Sequence, residues 1–145
     1  MTKNKESSKV TSITSKEAFK LIQEQPNAIL VDVRATMEFL MIGHPAGAIH
    51  IAWLDEPDWE PNPNFVRQIR ELILGGVICS DDGCLPILLI CRSGNRSLEA
   101  GEVLVKAGLK NVFNISDGFE GPRDDNHHRG TVAGWRFEGL PWEQC

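Results

Sequence analysis

Uninterrupted apolar runs alternate along the chain with segments whose apolar residues recur at helical spacing. The strongest runs are residues 28–33 and 85–90, and both are rich in β-branched and leucine side chains. A run with no polar alternation is typical of a strand buried on both faces of a sheet. Shorter runs at 48–51 and 111–115 predict two more strands, and we expect 85–90 to lie near the sheet centre.

Helical spacing appears between these runs. Residues 14–17 resemble a capping box that starts a helix ending near Pro26. The clearest helix covers residues 97–107, where apolar residues at i, i+3, i+4 and i+7 precede a glycine. The remaining predicted helices cover residues 35–41, 64–75 and 132–138.

Strands that alternate with helices predict an α/β domain with helices on both faces of a mostly parallel sheet. The chain has 145 residues, which suits one domain. Residues 1–12 are polar with almost no apolar content, so we expect a disordered tail followed by a single domain over residues 13–145.

Charge and hydropathy narrow the function classes. The formal net charge is −5, so no overall positive field is available to hold nucleic acid or an anionic membrane. The first ten residues lack the apolar core of a signal peptide, and no apolar run is long enough to cross a bilayer. We therefore expect a cytoplasmic protein that binds neither nucleic acid nor membrane.

Four cysteines stand at positions 79, 84, 91 and 145. None is paired at the spacing of a zinc knuckle, and their density is far below that of a disulfide-stapled secreted domain, so we expect free thiols and no metal. Packing or surface exposure is the default for Cys79 and Cys84, although either could resolve an oxidised Cys91 through a disulfide. No role is assigned to Cys145.

Cys91 is the cysteine for which the sequence predicts a reactive thiol, because of its position at a strand end and the composition of the adjoining loop. It ends the most apolar strand, where ligands bind in open α/β sheets, and the polar loop after it has the residues Arg92, Ser93, Gly94, Asn95, Arg96 and Ser97. Successive backbone N–H groups of such a loop, together with a helix N-terminus, stabilise an anion. These donors and two guanidinium groups favour a thiolate at Cys91.

The chain resembles the single-domain rhodanese family of sulfurtransferases. The resemblance rests on the order of several strings: LVDVR at 30–34 with a later glutamate, GHPAGA at 43–48, CRSGNRS at 91–97, GFEG at 118–121, and two Gly-Trp or Pro-Trp pairs near the end. It covers about residues 13–145. It implies a rhodanese-like fold, with a central five-stranded sheet and helices on both faces.

The resemblance also implies a reaction without a cofactor. In this family the cysteine that matches Cys91 takes a sulfane sulfur from a donor and holds it as a persulfide, within the N–H groups of the adjoining loop. The implied donor is a small anion such as thiosulfate, since the loop is basic. The acceptor is a thiol, either a small molecule or a protein cysteine, and cyanide would serve in an assay.

Other marked residues have structural interpretations. We expect Asp32, Arg34 and Glu38 to form an ion-pair cluster that fixes loops, in preference to a direct catalytic role. Arg92 and Arg96 are equal candidates for holding the sulfonate end of a donor. Three further pairs of residues are interpreted as structural. We expect His44 and His50 to be hydrogen-bonded within the fold, and His127 and His128 to be residues of a polar loop. We expect Trp135 and Trp142 to close the core.

Two alternatives to a sulfurtransferase stay open. A cysteine phosphatase also uses a thiolate at a helix start, but normally has five residues between the cysteine and its arginine, whereas Cys91 and Arg96 have four between them. A noncatalytic rhodanese-like module often lacks the cysteine. The long loops at 54–63 and 121–132 are interpreted as solvated insertions, the alternative being an acceptor surface near the site.

Overall fold

The computed structural model describes residues 9–75 and 85–144. In chain order the strands are β1 (Thr11–Ile13), β2 (Ile29–Asp32), β3 (His44–Pro45), β4 (Ile49–His50), β5 (Ile87–Ile90), β6 (Val112–Ile115) and β7 (Trp142–Glu143). The helices are α1 (Ser15–Glu24), α2 (Phe65–Gly75) and α3 (Asn95–Lys106), and a π-helical segment covers Glu38–Ile42.

A five-stranded sheet with the order β1-β6-β5-β2-β4 forms the centre of the domain, and its strand pairs are parallel. β5 lies in the middle, and all four of its residues are buried. This confirms the predicted α/β class and the central position of the most apolar run. β3 and β7 form a separate antiparallel ribbon.

Side chains of β5 alternate between two apolar clusters, one on each face of the sheet. Leu88 and Ile90 pack with Ala18 of α1 on one face. On the other face, Ile87 and Leu89 pack with residues of α2 and α3, including Ile69 and Leu104. A strand with period-2 side chains has apolar residues at every position only when both faces are covered. The helices therefore hold β5, and the residue after it, in a fixed place.

The start of α1 confirms the predicted capping box. The side chain of Thr14 accepts a hydrogen bond from the N–H of Glu17, while the Glu17 carboxylate accepts one from the N–H of Thr14, at 2.8 Å. Ser15 then donates through its N–H and its hydroxyl to Asp117 Oδ1, at 2.9 and 2.8 Å. This contact ties α1 to the segment after β6.

The N-terminal boundary differs from the expectation. Thr11 and Ser12 were expected in a tail over residues 1–12, but they belong to β1 and pair with Phe113 and Asn114 of β6. Thr11 and Ser12 are exposed in this edge strand, so their sequence carries little apolar signal. Residues 1–8 lie outside the described part of the chain, as do residues 76–84.

The predicted helix at 35–41 is present over residues 36–42, although mostly in π-helical form, whereas the predicted helix at 132–138 is wrong. The first becomes a π-helical segment from Glu38, and the second is a series of turns around Trp135. Gly134 has φ +118, which is incompatible with an α-helix. Trp135 is buried as expected, whereas Trp142 is 39% exposed and does not close the core.

Within residues 9–75 and 85–144, no helix has both the length and the apolar character needed to cross a membrane.

Candidate active site

Cys91 directly follows β5, and its side chain is buried. The sulfur accepts hydrogen bonds from the N–H of Gly94 at 3.1 Å, the N–H of Ser97 at 3.3 Å and the hydroxyl of Ser97 at 3.2 Å. Ser97 lies in the first turn of α3, where backbone N–H groups have no intrahelical partner. The expected convergence of donors on the sulfur is therefore present, supplied by Gly94 and Ser97.

The loop backbone depends on a glycine at position 94. Gly94 has φ +105 and precedes α3. A Cβ atom at this position would lie 2.3 Å from the carbonyl oxygen of Ser116. Asn95 is the first residue of α3, and among residues 92–97 Gly94 alone has a positive φ.

The segment after β6 holds the other side of the loop. The N–H of Phe119 donates to the carbonyl oxygen of Cys91 at 2.8 Å, and the N–H groups of Glu120 and Gly121 donate to the carbonyl oxygen of Arg92 at 3.0 and 3.1 Å. A Cβ atom at Gly118 would lie 2.4 Å from that same Arg92 oxygen. The glycines in this segment thus allow two backbone segments to approach closely.

Asn114 is a site residue that the sequence reasoning missed. It is 3% exposed on β6, and its Oδ1 accepts a short hydrogen bond from the Ser97 hydroxyl. Because a hydroxyl has one proton, Ser97 donates either to Asn114 or to Cys91 at a given moment. An amide side chain inside a buried apolar strand was the available signal, since buried polar groups need partners.

Asp32 and Arg34 form a fully buried ion pair at the end of β2. Arg34 Nη2 lies 2.7 Å from Asp32 Oδ2, and Arg34 Nε lies 3.0 Å from Asp32 Oδ1. Arg34 also donates to the carbonyl oxygen of Gly43, and its guanidinium lies 4.6 Å from the ring centre of Phe119. The pair connects β2 to the turn before β3 and to the segment that supports the loop.

Glu38 pairs with Arg96 through two hydrogen bonds of 2.8 and 3.0 Å. Burial acts to raise the pKa of Glu38, but the hydrogen bond and the positive charge of Arg96 outweigh it and hold that pKa below its ordinary value. Burial by itself acts to lower the pKa of Arg96. The hydrogen bond and the negative charge of Glu38 outweigh burial, so the pKa of Arg96 is raised above its ordinary value. Both side chains are charged at neutral pH.

Arg92 differs from Arg96. Its side chain is exposed, and it forms no ion pair with any residue in the described parts of the chain. The two arginines were equal candidates for binding an anion, but only Arg92 has its guanidinium free of a carboxylate partner.

A cleft of about 860 Å³ borders the loop. It is lined by Glu38, Ile42, Trp59, Arg92, Arg96, Glu120, His127, His128 and Arg129. Trp59 belongs to the loop at 54–63, and the last three residues belong to the loop at 121–132. Most residues of both loops are exposed, in line with solvated insertions, and both loops also contribute side chains to the cleft beside the cysteine loop.

The histidines at 44 and 50 are placed structurally. His44 Nδ1 lies 2.9 Å from the carbonyl oxygen of Phe39, and His50 Nε2 lies 2.8 Å from that of Arg34. The Phe39 ring stacks on both imidazoles, with centroid distances of 3.8 and 4.6 Å. These contacts hold the π-helical segment that carries Glu38.

Within the described ranges, no group of three or more His, Cys, Asp or Glu side chains is arranged to hold a metal ion. Cys79, Cys84 and Cys145 lie outside those ranges. The described site places one thiol under hydrogen-bond donors, beside a cleft lined by three guanidinium groups and two carboxylates.

Comparison with known proteins agrees with this arrangement. The model of the rhodanese-like domain family matches residues 15–124. The chain is 33% identical over 139 residues to an uncharacterized protein of Rickettsia conorii, covering 92% of this chain and 98% of the relative. It is 35% identical over 109 residues to the thiosulfate sulfurtransferase GlpE of Haemophilus influenzae, covering 75% of this chain and 84% of that enzyme.

A solved structure supports the same assignment. The crystal structure of Rv0390 from M. tuberculosis superposes with a TM-score of 0.79 at 35% identity, covering 94% of this chain and 99% of that one. The family match covers most of the chain and includes the whole cysteine loop. On this evidence the chain belongs to the rhodanese-like domain family.

Proposed function

We propose that the protein is a sulfurtransferase that moves a sulfane sulfur from thiosulfate to a thiol acceptor through a persulfide on Cys91. The observation that carries the proposal is the set of three hydrogen bonds from Gly94 and Ser97 to the Cys91 sulfur. Donors fixed around a sulfur at a helix N-terminus stabilise its negative charge, and the thiolate is the nucleophilic form.

In the first step the Cys91 thiolate attacks the outer sulfur of thiosulfate. A bond forms between the two sulfurs, the S–S bond of thiosulfate breaks, and sulfite leaves with the electron pair. The negative charge then lies on the outer sulfur of the Cys91 persulfide. We assign the sulfonate oxygens of the donor to Arg92, whose guanidinium lines the cleft and forms no ion pair with a carboxylate among the described residues.

In the second step an acceptor thiolate attacks the outer sulfur of the persulfide. The acceptor becomes a persulfide, and Cys91 is released as a thiolate for the next cycle. Neither step consumes an oxidant, a metal or a cofactor, so the scheme is a two-step exchange. It requires Cys91 to stay reduced, which fits a reducing compartment such as the cytoplasm.

The supporting residues have positioning roles in this proposal. Asp32 and Arg34 hold the end of β2 and the turn at Gly43, while Glu38 fixes Arg96 at the start of α3. Ser93 belongs to the loop, Asn95 begins α3, and Ser97 contacts the sulfur directly. The name of the Haemophilus influenzae relative, a thiosulfate sulfurtransferase, supports thiosulfate as the donor class.

Intact-mass measurement tests the proposal. The reduced protein is incubated with thiosulfate, and we expect a gain of one sulfur atom that disappears on addition of cyanide. Cys91→Ser retains the other three cysteines and is the matched control, in which no gain is expected. No adduct with either thiosulfate or 3-mercaptopyruvate would overturn the proposal and favour a noncatalytic module. Hydrolysis of an aryl phosphate that depends on Cys91 would favour a phosphatase instead.

A further inference from the structure

The loop at 121–132 has an internal structure that one carboxylate organises. Asp124 Oδ1 accepts hydrogen bonds from the N–H groups of Asn126 and His128, at 2.8 and 2.9 Å. Its Oδ2 accepts one from the Thr131 hydroxyl at 2.7 Å. The N–H of Gly130 also donates to the carbonyl oxygen of Glu120 at 2.8 Å. These bonds fix the segment in which Arg129 lies.

Arg129 faces the cleft from this loop. Its Nη1 donates to the carbonyl oxygen of Gly121 at 2.7 Å, and the residue is partly buried. Burial lowers the pKa of Arg129, and the positive charge of Arg92 lowers it further, with only Glu120 acting in the opposite direction. Arg129 forms no direct ion pair within the described ranges. A guanidinium held in a positive field favours binding of an anion.

The size of the cleft indicates whether an anionic group bound at Arg129 belongs to the sulfur donor or to the acceptor. Thiosulfate has about five heavy atoms, far fewer than a pocket of several hundred Å³ accommodates. Arg129 and Trp59 line parts of a cleft of about 860 Å³ that such a donor would leave empty. The second reactant of the exchange must approach the same sulfur, so this space is available to the acceptor.

We propose that Arg129 is a specificity-determining residue that, together with Arg92, selects acceptor thiols carrying a carboxylate. This inference rests on the proposed sulfurtransferase function. The carboxylate of a small organic thiol binds the two guanidinium groups, its carbon chain contacts Trp59, and its sulfur attacks the Cys91 persulfide. Neutral thiols lack the first of these interactions, and cationic thiols are repelled by the same two side chains.

Discharge of the preformed persulfide tests the inference. Protein loaded with thiosulfate is freed of donor and treated with mercaptosuccinate, 2-mercaptoethanol or cysteamine, and the loss of the sulfur is followed by intact mass. The quantity compared is the ratio of the second-order rate constants for mercaptosuccinate and 2-mercaptoethanol. Because thiols differ in intrinsic reactivity, each variant is compared with the unaltered protein and not one thiol with another.

We expect Arg129→Gln to lower this ratio about tenfold, as loss of a charge-assisted hydrogen bond predicts. Arg123→Gln removes the same charge from the same loop, but Arg123 is exposed and does not line the cleft, so its ratio should stay within about twofold of the original by comparison with other exposed charges. Added salt should lower the ratio in the unaltered protein and have less effect in Arg129→Gln.

Equal ratios in the two variants would overturn the inference while leaving the sulfurtransferase proposal intact. A slower thiosulfate loading in Arg129→Gln, with an unchanged ratio, would place Arg129 at the donor and would also overturn it. If no persulfide forms, the proposed function fails, and binding of mercaptosuccinate to Cys91→Ser is measured by NMR shift perturbation. Binding that Arg129→Gln abolishes and Arg123→Gln retains would then still support anion selection, and absence of binding would overturn it.

Discussion

Glu38 and Arg96 face each other through two parallel hydrogen bonds, Arg96 Nη1 to Oε1 at 2.8 Å and Nη2 to Oε2 at 3.0 Å. The pair joins the π-helical segment to the first turn of α3, although the two residues are 58 positions apart in the sequence. Both side chains are about four-fifths buried. Arg96 is therefore held by the carboxylate of Glu38. Among the described residues no carboxylate pairs with the guanidinium of Arg92, which leaves it available to bind an anion.

A double-mutant cycle on this pair measures its contribution. We expect Glu38→Gln and Arg96→Gln to show a coupling of about 1 kcal/mol in the free energy of unfolding at neutral pH, at the upper end of the range for ion pairs open to solvent. The pKa of Glu38 is held below its ordinary value of 4.5, so the coupling is fully present above pH 4.5. It is lost as the pH falls through the lowered folded-state pKa.

The exposed pair Arg67 and Glu71 on α2 is the matched control for this cycle. Its N···O distance is 3.4 Å, and both side chains are 63% exposed. We expect a coupling of about 0.3 to 0.5 kcal/mol there. Urea unfolding at pH 7 and pH 3 gives both values, and an equal coupling for the two pairs would contradict the structural role of Glu38 and Arg96.

The backbone conformation of Gly94 provides a second prediction about the free energy of unfolding. Gly94→Ala places a Cβ atom against the Ser116 carbonyl oxygen at φ +105, and we expect a loss of about 3 kcal/mol or more from strain and overlap together. Gly47 has φ +85 with open space around it, so Gly47→Ala isolates the dihedral cost, about 1 to 2 kcal/mol. Urea midpoints compare them, and equal losses would show that the Ser116 contact is unimportant.

The elements that the sequence predicted are those whose signals are local. β5 is recognisable because both of its faces are covered, and α1 because the capping box lies within four residues. The turns around Trp135 were missed for the opposite reason. Gly134 adopts φ +118 and packs against the backbone of residues 119–121, so contact with a distant segment overrides the helical spacing of its neighbours.

The site residues likewise fall into those with a local sequence signal and those brought in by distant segments. Cys91 and its donors Gly94 and Ser97 lie within seven residues, and the sequence predicted them together. Asn114 reaches Ser97 from the neighbouring strand, and Arg129 reaches the cleft from a loop 38 positions after Cys91. Such partners depend on where β6 and the chain after it lie relative to the cysteine loop, which neither periodicity nor motif spacing encodes.

Arg92 is predicted to dominate recognition of the donor. Arg92→Gln should raise the thiosulfate concentration that gives half-maximal loading of Cys91 about tenfold, because an unpaired guanidinium is available for the sulfonate. Arg96→Gln should have a smaller effect on this concentration, since Glu38 already occupies its donors. Intact-mass measurements on samples quenched at a fixed time give the thiosulfate concentration for half-maximal loading, with Arg67→Gln as a surface control. A larger effect at Arg96 would reverse the assignment.

Asp124 is predicted to order the loop that carries Arg129. Hydrogen bonds from the Thr131 hydroxyl and the His128 N–H hold the pKa of Asp124 below its ordinary value of 3.8. The bonds should therefore be present above pH 3.8 and weaken as the pH falls through the lowered value. Asp124→Ala should speed amide hydrogen exchange at Asn126 and His128, whereas Asp125→Ala, beside it and exposed, should leave these rates unchanged.

Ser97 is predicted to stabilise the reactive form of Cys91 through its hydroxyl. When Cys91 is a thiol, the hydroxyl proton goes to Asn114 Oδ1, and when Cys91 is a thiolate, the charged sulfur is the stronger acceptor. A hydrogen bond to a charged group exceeds a neutral one by about 1 to 1.5 kcal/mol. At about 1.4 kcal/mol per factor of ten, Ser97→Ala should slow the alkylation of Cys91 at pH 7 about tenfold.

Ser93→Ala is the matched control for this effect, because Ser93 lies in the same loop and makes no hydrogen bond to the sulfur within the described structure. Iodoacetamide labelling is followed at the Cys91 peptide by mass spectrometry, which separates it from the other three cysteines. We expect Cys91 in Ser93→Ala to be alkylated at the same rate as in the unaltered protein. Faster alkylation in Ser97→Ala would mean that the hydroxyl proton stays with Asn114 and that Ser97 favours the thiol, leaving the N–H groups of Gly94 and Ser97 as the donors that stabilise the thiolate.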